Sequence, residues 1–247
     1  FRAALESLSL LSQTLERRQT EVDINVLLGQ ALIALEGMGH EAPRAAFERA
    51  VCLSSELADE RRQISALRGL GKCQFSSEPA QAVRTGLVLK GLAKDAADVV
   101  VMTEAQSILT MSYYLAGEFS QAIAESEDGL ALWTQEESAN TPELIISHPG
   151  IELRRYSAMC FDAIGLRDKA VSTISTARQM AESLGRPFLH AHALVYYASL
   201  MLRQRRYEQA LEVAELALQI TESFEFKNWL ALAQLFRGRA LVALGEV

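Results

Sequence analysis

An alanine recurs along the chain in nearly the same local setting and at nearly constant spacing. It occurs as Ala82, Ala122, Ala170 and Ala210, in steps of 40, 48 and 40 residues. A small or polar turn precedes each of the last three alanines. An aromatic or long residue follows two positions after the start of that turn. An internal period of this length is typical of chains in which one short unit is repeated and each copy packs against its neighbours. We therefore expect a repeat architecture.

The units between these alanines are predicted to be helical. Apolar residues recur at the 3.6-residue spacing of a helix almost throughout, and good helix formers dominate. Only 5 prolines and 14 glycines interrupt the chain, too few for an all-β protein with many tight turns. The β-branched run from Val99 to Val101 has no visible partner strand, so we expect it on a buried helix face.

Each alanine-bearing helix is preceded by another apolar helix that ends at the turn. These upstream helices have a small residue near their middle, at Thr110, Ala158 and Ala198. Small residues let two antiparallel helices approach closely, while larger flanking residues fill the groove between them. HEAT and armadillo repeats share the period of about 40, but the order of glycine, aromatic residue and alanine favours tetratricopeptide-like repeats. The predicted fold is all-α: one solenoid of antiparallel helix pairs over residues 1–247.

Two features interrupt this regular pattern. The 48-residue step predicts a long loop within residues 134–150, which is either a functional loop with Asn140, Thr141 and His148 as polar candidates or a plain connector. At the ends, residues 1–17 resemble a second helix without its first, and residues 229–244 resemble a first helix without its second. We therefore expect a piece of a longer protein.

Catalytic, cofactor and metal motifs are not found in the sequence. There is no P-loop, nucleophile elbow or paired-histidine zinc motif, and the segment GLGK at 69–72 lies in an apolar helical context. His190 and His192 are two residues apart and point in different directions on a helix, so we expect one packed and one exposed. The cysteines Cys52, Cys73 and Cys160 are widely spaced, and we expect them in the core. No enzymatic residue, cofactor or metal ligand is predicted.

Charge and hydropathy exclude two classes of partner. The net charge is −7, and the basic clusters at 61–62, 154–155 and 203–206 are separate, so we expect exposed turn charges and no nucleic acid. The longest apolar stretch, Ala193 to Leu202, is half the length needed to span a bilayer. No leader of basic then apolar residues opens the chain. A cytoplasmic protein without a membrane partner is expected.

One stretch is more specific than the repeat pattern requires. Residues Glu16 to Asp59 resemble a recurring segment of large bacterial signalling proteins, in which a nucleotide cyclase or kinase domain, a STAND-type or AAA-like ATPase and a tetratricopeptide-like region follow one another. The matching positions are Glu21, Val22, Asp23, Leu28, Gly29, Ala31, Leu32, Ile33, Ala34, Gly39, Ala42, Pro43, Ala46, Arg49, Ala50 and Leu53. Arg44 departs from the pattern, which has Glu there. Later segments also resemble the family, so the similarity spans nearly the whole chain.

The resemblance implies a non-catalytic regulatory arm. In such proteins the repeats bind a partner or ligand and bias the ATPase and output domains, so a protein or peptide partner is expected, including other domains of the same chain. One alternative is a small-ligand sensor like the solenoid of maltose-activator-type transcription regulators. Others are a free-standing tetratricopeptide adaptor, an enzyme domain in its own right, and self-association through the end helices.

The repeat register also predicts a contact surface. In such solenoids the first helices of the pairs line a concave groove, and counting back from the alanines gives its lining. The candidate groove contacts are Met111, Tyr114, Arg155, Met159, Asp162, His192 and Ser199, with Glu104, Ser107, Glu152, Val195 and Leu202 in the same register. Methionine, tyrosine and arginine suit a peptide or protein contact. The alternative is that several of them pack against neighbouring helices. The set lacks the Lys and Asn residues of the clamps that bind chaperone tails.

Overall fold

The computed structural model describes residues 1–133 and 148–246, and these form twelve α-helices and no strand. The helices are α1 Arg2–Ser9, α2 Leu15–Glu36, α3 Glu41–Glu56, α4 Glu60–Gln74, α5 Pro79–Asp95, α6 Val99–Ala116, α7 Phe119–Leu132, α8 Pro149–Ala163, α9 Arg167–Ser183, α10 Pro187–Arg203, α11 Tyr207–Ser223 and α12 Lys227–Leu244. They belong to two compact units, Phe1–Glu118 and Phe119–Val247. Within each unit, successive helices pack against one another.

The repeat alanines are buried as their spacing predicts. Ala82, Ala122, Ala170 and Ala210 each have a relative exposure of 0%. The small residues of the upstream helices, Thr110, Ala158 and Ala198, are equally buried. The described chain is therefore an all-α, tetratricopeptide-like helical repeat, as expected. The valine run 99–101 opens α6, where the Asp98 carboxylate accepts a hydrogen bond from the Val101 amide at 3.0 Å.

The interpretation of residues 1–17 as one helix was wrong. Helix α1 ends at Ser9, whose hydroxyl donates to the Glu6 carbonyl, and α2 begins at Leu15. Thr14 caps the new helix, because its hydroxyl oxygen accepts from the Arg17 amide at 3.1 Å. A capping threonine starts a helix rather than continuing one. Residues 229–244, by contrast, lie within the single helix α12.

Glycines in the first unit allow three helices to close around one aromatic ring. A Cβ atom on Gly69 of α4 would lie 2.1 Å from a ring carbon of Phe47 in α3, and one on Gly29 of α2 would lie 2.6 Å from another. Phe47 is 1% exposed. The segment GLGK is thus part of a packed helix, and Gly69 in it makes room for Phe47.

Most of the turns that the structure describes pass through a left-handed residue. Gly117, Gly165 and Gly245 occupy one register position after a first helix, with φ between +74° and +86°. Arg205 occupies the same register position in the remaining pair of the second unit, with φ +61°. Glycine adopts this conformation at no steric expense, whereas a residue with a Cβ does not.

Most of the predicted loop lies outside the described residues. Residues 134–147, including Asn140 and Thr141, are not described, and α8 already begins at Pro149. His148 is 1% exposed, and its ring packs edge-on against Trp133 with centroids 5.1 Å apart. None of the described helices has the length and apolar character needed to cross a membrane.

Candidate interaction site

The candidate groove residues occupy three first helices, α6 in one unit and α8 and α10 in the other. In α6, Met111 is buried and Tyr114 is half-buried. In the second unit, Arg155, Met159 and His192 are buried, whereas Asp162 and Ser199 are half-buried. The register therefore brings five of the seven candidates into one unit. Their role as partner contacts stays a prediction.

A buried polar centre joins α8 to α10. The Nε atom of Arg155 donates to Glu152 Oε2 at 3.0 Å, and Nη2 donates to the same oxygen. His192 Nδ1 lies 3.4 Å from the other carboxylate oxygen of Glu152. Exposure is 2% for Glu152, 3% for Arg155 and 5% for His192. Glu152 and Arg155 lie on one helix face because they are three residues apart.

Aromatic side chains enclose this centre. The guanidinium carbon of Arg155 lies 3.9 Å from the ring centroids of both Tyr156 and Tyr196. The His192 ring stacks on Trp229 of α12, with centroids 4.3 Å apart and an interplanar angle of 28°. Cation–π and stacking contacts of this kind strengthen when they are removed from water. We call Glu152, Arg155, Tyr156, His192, Tyr196 and Trp229 the Arg155 cluster.

Burial sets the protonation states in this cluster. Burial lowers the pKa of His192 to about 4, an effect that the Glu152 carboxylate opposes and the Arg155 charge reinforces. For Arg155, burial disfavours the charged form, but Glu152, Tyr156 and Tyr196 together outweigh it and the pKa rises. Burial also raises the pKa of the Tyr156 hydroxyl. At neutral pH the centre therefore contains one cation, one anion and a neutral imidazole.

A second polar contact joins the other ends of α8 and α10. Asp162 Oδ2 accepts from Arg203 Nε at 2.9 Å, and Oδ1 accepts from Gln204 Nε2 at 3.0 Å. The same Gln204 amide also reaches the Arg167 carbonyl oxygen at 3.2 Å. Asp162 thus helps to fix the spacing of two first helices, and its carboxylate is only partly available to a partner.

The first unit contains a comparable pair. Glu104 occupies the register position of Glu152 and His192, and is 2% exposed. Arg68 of α4 donates from Nη2 to Glu104 Oε1 at 2.8 Å and also contacts the other carboxylate oxygen through Nε. The pair forms across neighbouring first helices, whereas Glu152 and Arg155 share one helix.

Sequence reasoning missed part of the site and misjudged two residues. Tyr156, Tyr196 and Trp229 were not expected in it, although each lies next to a register position or on the following first helix. The expectation of an exposed basic turn at 154–155 was wrong for Arg155, because Glu152 one turn earlier neutralises it in the interior. The expectation of a core cysteine was wrong for Cys52, which is exposed.

The described residues show little reactive chemistry. They contain no group of three or more His, Cys, Asp or Glu side chains that could hold a metal ion. His192 is buried and His190 is half-buried. Burial raises the pKa of both Cys73 and Cys160 to about 12, so neither thiol ionises at neutral pH.

Comparison with known proteins shows the fold. No family model and no curated protein matches the chain. Among solved structures, a thermophilic tetratricopeptide repeat protein of Thermus thermophilus is 20% identical with a TM-score of 0.63, over 90% of this chain and 98% of that one. The apo form of RapI is 10% identical with a TM-score of 0.64, over 99% of this chain and 89% of that one.

A third similar structure is a protein of several domains. It is a STAND protein, a signal transduction ATPase with a tetratricopeptide repeat sensor, from Pyrococcus horikoshii. It is 14% identical with a TM-score of 0.61, and the match covers 92% of this chain but 34% of that one. Fold and register together define the class of this chain as an all-α protein of tetratricopeptide-like helical repeats.

Proposed function

We propose that this chain is a non-catalytic interaction and regulatory module of a larger cytoplasmic signalling protein with an ATPase, cyclase or kinase domain. The observation that supports it best is the repeat register itself. It places the polar and aromatic side chains of α8 and α10 together and leaves Asp162 and Ser199 half-buried at their surface. Paired helices that repeat in this way present side chains from several helices to one extended partner.

The likeness to the STAND protein supports the signalling context. That protein is described as an ATPase with a tetratricopeptide repeat sensor, and the part similar to this chain makes up 34% of it. The segment Glu16 to Asp59 independently resembles the repeat region of bacterial signalling proteins. The proposed partner is a protein or peptide, with the catalytic domain of the same polypeptide as the first candidate.

The composition of the site favours a protein partner over nucleic acid. The chain has a net charge of −7. In the second unit, Arg203 pairs with Asp162 and Arg206 lies 3.6 Å from Asp168. These arginines are thus partly neutralised and do not form the continuous basic surface that a phosphate backbone requires.

The test of this proposal uses the full-length gene product. We expect the gene to encode a nucleotide-processing domain in the same reading frame. Nucleotide turnover should then change about tenfold when residues 1–247 are deleted, an ordinary magnitude for coupling between domains. The variants Tyr114→Ala and Ser199→Arg should reproduce part of this change, whereas Leu216→Ala, at an exposed position on α11, should not.

Other outcomes would overturn specific parts of the proposal. A gene without any nucleotide-processing domain would exclude the signalling arm and leave a free-standing adaptor. Turnover that responds to a sugar-sized ligand, and not to the groove variants, would favour the maltose-activator type of sensor. Turnover that is unchanged on deletion would show that the module does not regulate catalysis.

A further inference from the structure

One hydrogen-bond donor of Arg155 is unused. Arg155 is 3% exposed, and its Nε and Nη2 atoms are both engaged by Glu152. Its Nη1 atom is buried and has no hydrogen-bond partner in the structure. Buried donors without an acceptor are rare in folded proteins, and each needs an explanation. An acceptor supplied from outside the chain would satisfy this donor.

The charge balance of the cluster restricts the acceptor. Glu152 already neutralises Arg155, and His192 is uncharged at neutral pH because burial lowers its pKa. Glu152 and Arg155 are the charged groups that face His192. An added carboxylate or phosphate would leave a buried negative charge without a counter-charge, which is strongly unfavourable. A neutral oxygen has no such penalty.

The aromatic rings restrict the direction of approach. The ring centroids of Tyr156 and Tyr196 each lie 3.9 Å from the guanidinium carbon of Arg155, so two aromatic rings pack closely against this group. The N–H bonds of a guanidinium lie in its plane, so an acceptor approaches Nη1 along the edge of the group. A planar amide suits this geometry, because it can lie coplanar with the guanidinium. Tyr196 and, one turn further along α10, Ser199 are half-buried, so both are partly exposed to solvent.

We propose that Arg155 Nη1 binds an amide oxygen of a peptide partner, from an Asn or Gln side chain or from the peptide backbone. This inference rests on the proposed function, since it requires that the partner is a protein or peptide. Arg155 is then the anchor of the interaction, and Glu152 fixes the guanidinium. The site differs from a carboxylate clamp, because it selects a neutral group.

The experiment screens the whole 247-residue chain against a library of random peptides displayed on phage. Recovered peptides are synthesised, and their dissociation constants are measured with the wild type, Arg155→Lys and Arg154→Lys. Lysine can still pair with Glu152, but it lacks the edge of the guanidinium that carries Nη1. Arg154 is the matched control, because its Nη1 donates to the Gly150 carbonyl oxygen at 2.9 Å.

We expect Arg155→Lys to weaken binding about tenfold, as is usual for the loss of one hydrogen bond from a charged donor. Arg154→Lys should leave binding unchanged. Replacing one Asn or Gln of the peptide by Ala should weaken binding to the wild type by the same factor. The same replacement should not weaken binding to Arg155→Lys any further. If no such residue exists but Arg155→Lys still weakens binding, the backbone supplies the oxygen. Affinity should be insensitive to sodium chloride, since no net charge is involved.

Three outcomes would overturn the inference. Equal binding to wild type and Arg155→Lys would place the contact elsewhere, while peptide binding itself would stand. Peptides that need Asp or Glu and lose affinity steeply with salt would show an anion site. Recovery of no peptide would count against this inference and against the peptide-binding part of the proposed function. Circular dichroism checks that Arg155→Lys is folded; if it is not, the substitutions in the peptide decide.

Discussion

The buried imidazole of His192 makes the stability of the fold sensitive to mildly acidic pH. Burial lowers the pKa of His192 from 6.5 to about 4. Between these values the unfolded chain binds a proton that the folded chain does not, so the stabilising contribution is complete above pH 6.5 and is lost as the pH falls toward 4. Between pH 7 and pH 5 the loss should be about 2 kcal/mol.

This prediction is tested by urea unfolding at pH 7 and pH 5. In His192→Phe the ring can still stack on Trp229 but cannot titrate, so the decrease between the two pH values should be smaller by about 2 kcal/mol. His190→Phe is the matched control at a half-buried position. It should change the decrease in the free energy of unfolding between the two pH values by less than His192→Phe does. If the free energy of unfolding of His192→Phe falls as much between pH 7 and pH 5 as that of the wild type, other groups cause the acid sensitivity.

The contact between Gly69 and Phe47 is a second prediction at the level of single residues. A Cβ at position 69 would overlap the Phe47 ring at 2.1 Å, and the ring cannot retreat because it also lies against Gly29. Gly69→Ala should therefore lower the free energy of unfolding by about 1–3 kcal/mol, although alanine is the better helix former.

The control for Gly69→Ala lies in the same unit. Gly91 is an exposed helical glycine of α5, and a Cβ there would meet nothing within 4 Å. Gly91→Ala should raise the free energy of unfolding by about 0.5–1 kcal/mol, because only the helix propensity changes. If both substitutions changed the free energy of unfolding in the same direction, close packing at Phe47 would not be the cause of the change in Gly69→Ala. Chemical denaturation followed by circular dichroism measures both values.

The turns between helices give a prediction at the scale of elements. Arg205 is exposed and has φ +61° at the register position where the other pairs have Gly117, Gly165 and Gly245. A left-handed conformation costs a residue with a Cβ about 1–2 kcal/mol. Arg205→Gly should therefore stabilise the chain by about 1 kcal/mol and raise its melting temperature.

The matched control makes the same change inside a helix. Arg239 is an exposed residue in the interior of α12, where glycine is unfavourable. Arg239→Gly should destabilise the chain by about 1 kcal/mol. Differential scanning calorimetry of both variants should give shifts of opposite sign. A lower melting temperature for Arg205→Gly would mean that its side chain stabilises the turn more than its backbone conformation disfavours it.

The helices and their pairing could be predicted from sequence because their determinants are local. The spacing of Ala82, Ala122, Ala170 and Ala210 reports a packing requirement that recurs in four successive pairs, and all four are fully buried. The break between α1 and α2 is also local, but the capping role of Thr14 was overlooked in favour of a stripe of leucines at helical spacing, Leu5, Leu8, Leu11 and Leu15. A cap weighs more than a stripe when the two disagree at a helix end.

The Arg155 cluster could not be predicted as a whole, because its contacts from α8 to α10 and from α10 to α12 are distant in sequence. Register placed Arg155 and His192 in one groove, yet the charge pattern indicated an exposed turn at the same arginine. Glu152 of the same helix neutralises Arg155, but only the packing of α8 against α10 shows that the pair is buried. Trp229 enters from a third helix at 4.3 Å from His192, and no local pattern marks it. Local periodicity thus predicts the helices, whereas contacts between helices form the site.

At the scale of the whole chain, repeat proteins gain stability mainly from contacts between neighbouring helices. The helices of the second unit contact one another in sequence, as α8 with α9, α9 with α10, α10 with α11 and α11 with α12. A local defect should therefore have local consequences. This leads to a prediction for the Gly69→Ala variant, whose clash lies where α2, α3 and α4 meet.

In Gly69→Ala, amide hydrogen exchange should accelerate in α2, α3 and α4, because these helices surround the displaced Phe47 ring. Exchange in α9 to α12 should stay at the wild-type rate, since these helices belong to the other compact unit. Mass spectrometry of peptic fragments resolves these segments, and Gly91→Ala provides the reference for a substitution without a clash. A uniform acceleration across both sets of helices would instead mean that the chain opens as one cooperative body, and the description by neighbouring contacts would then be wrong for this protein.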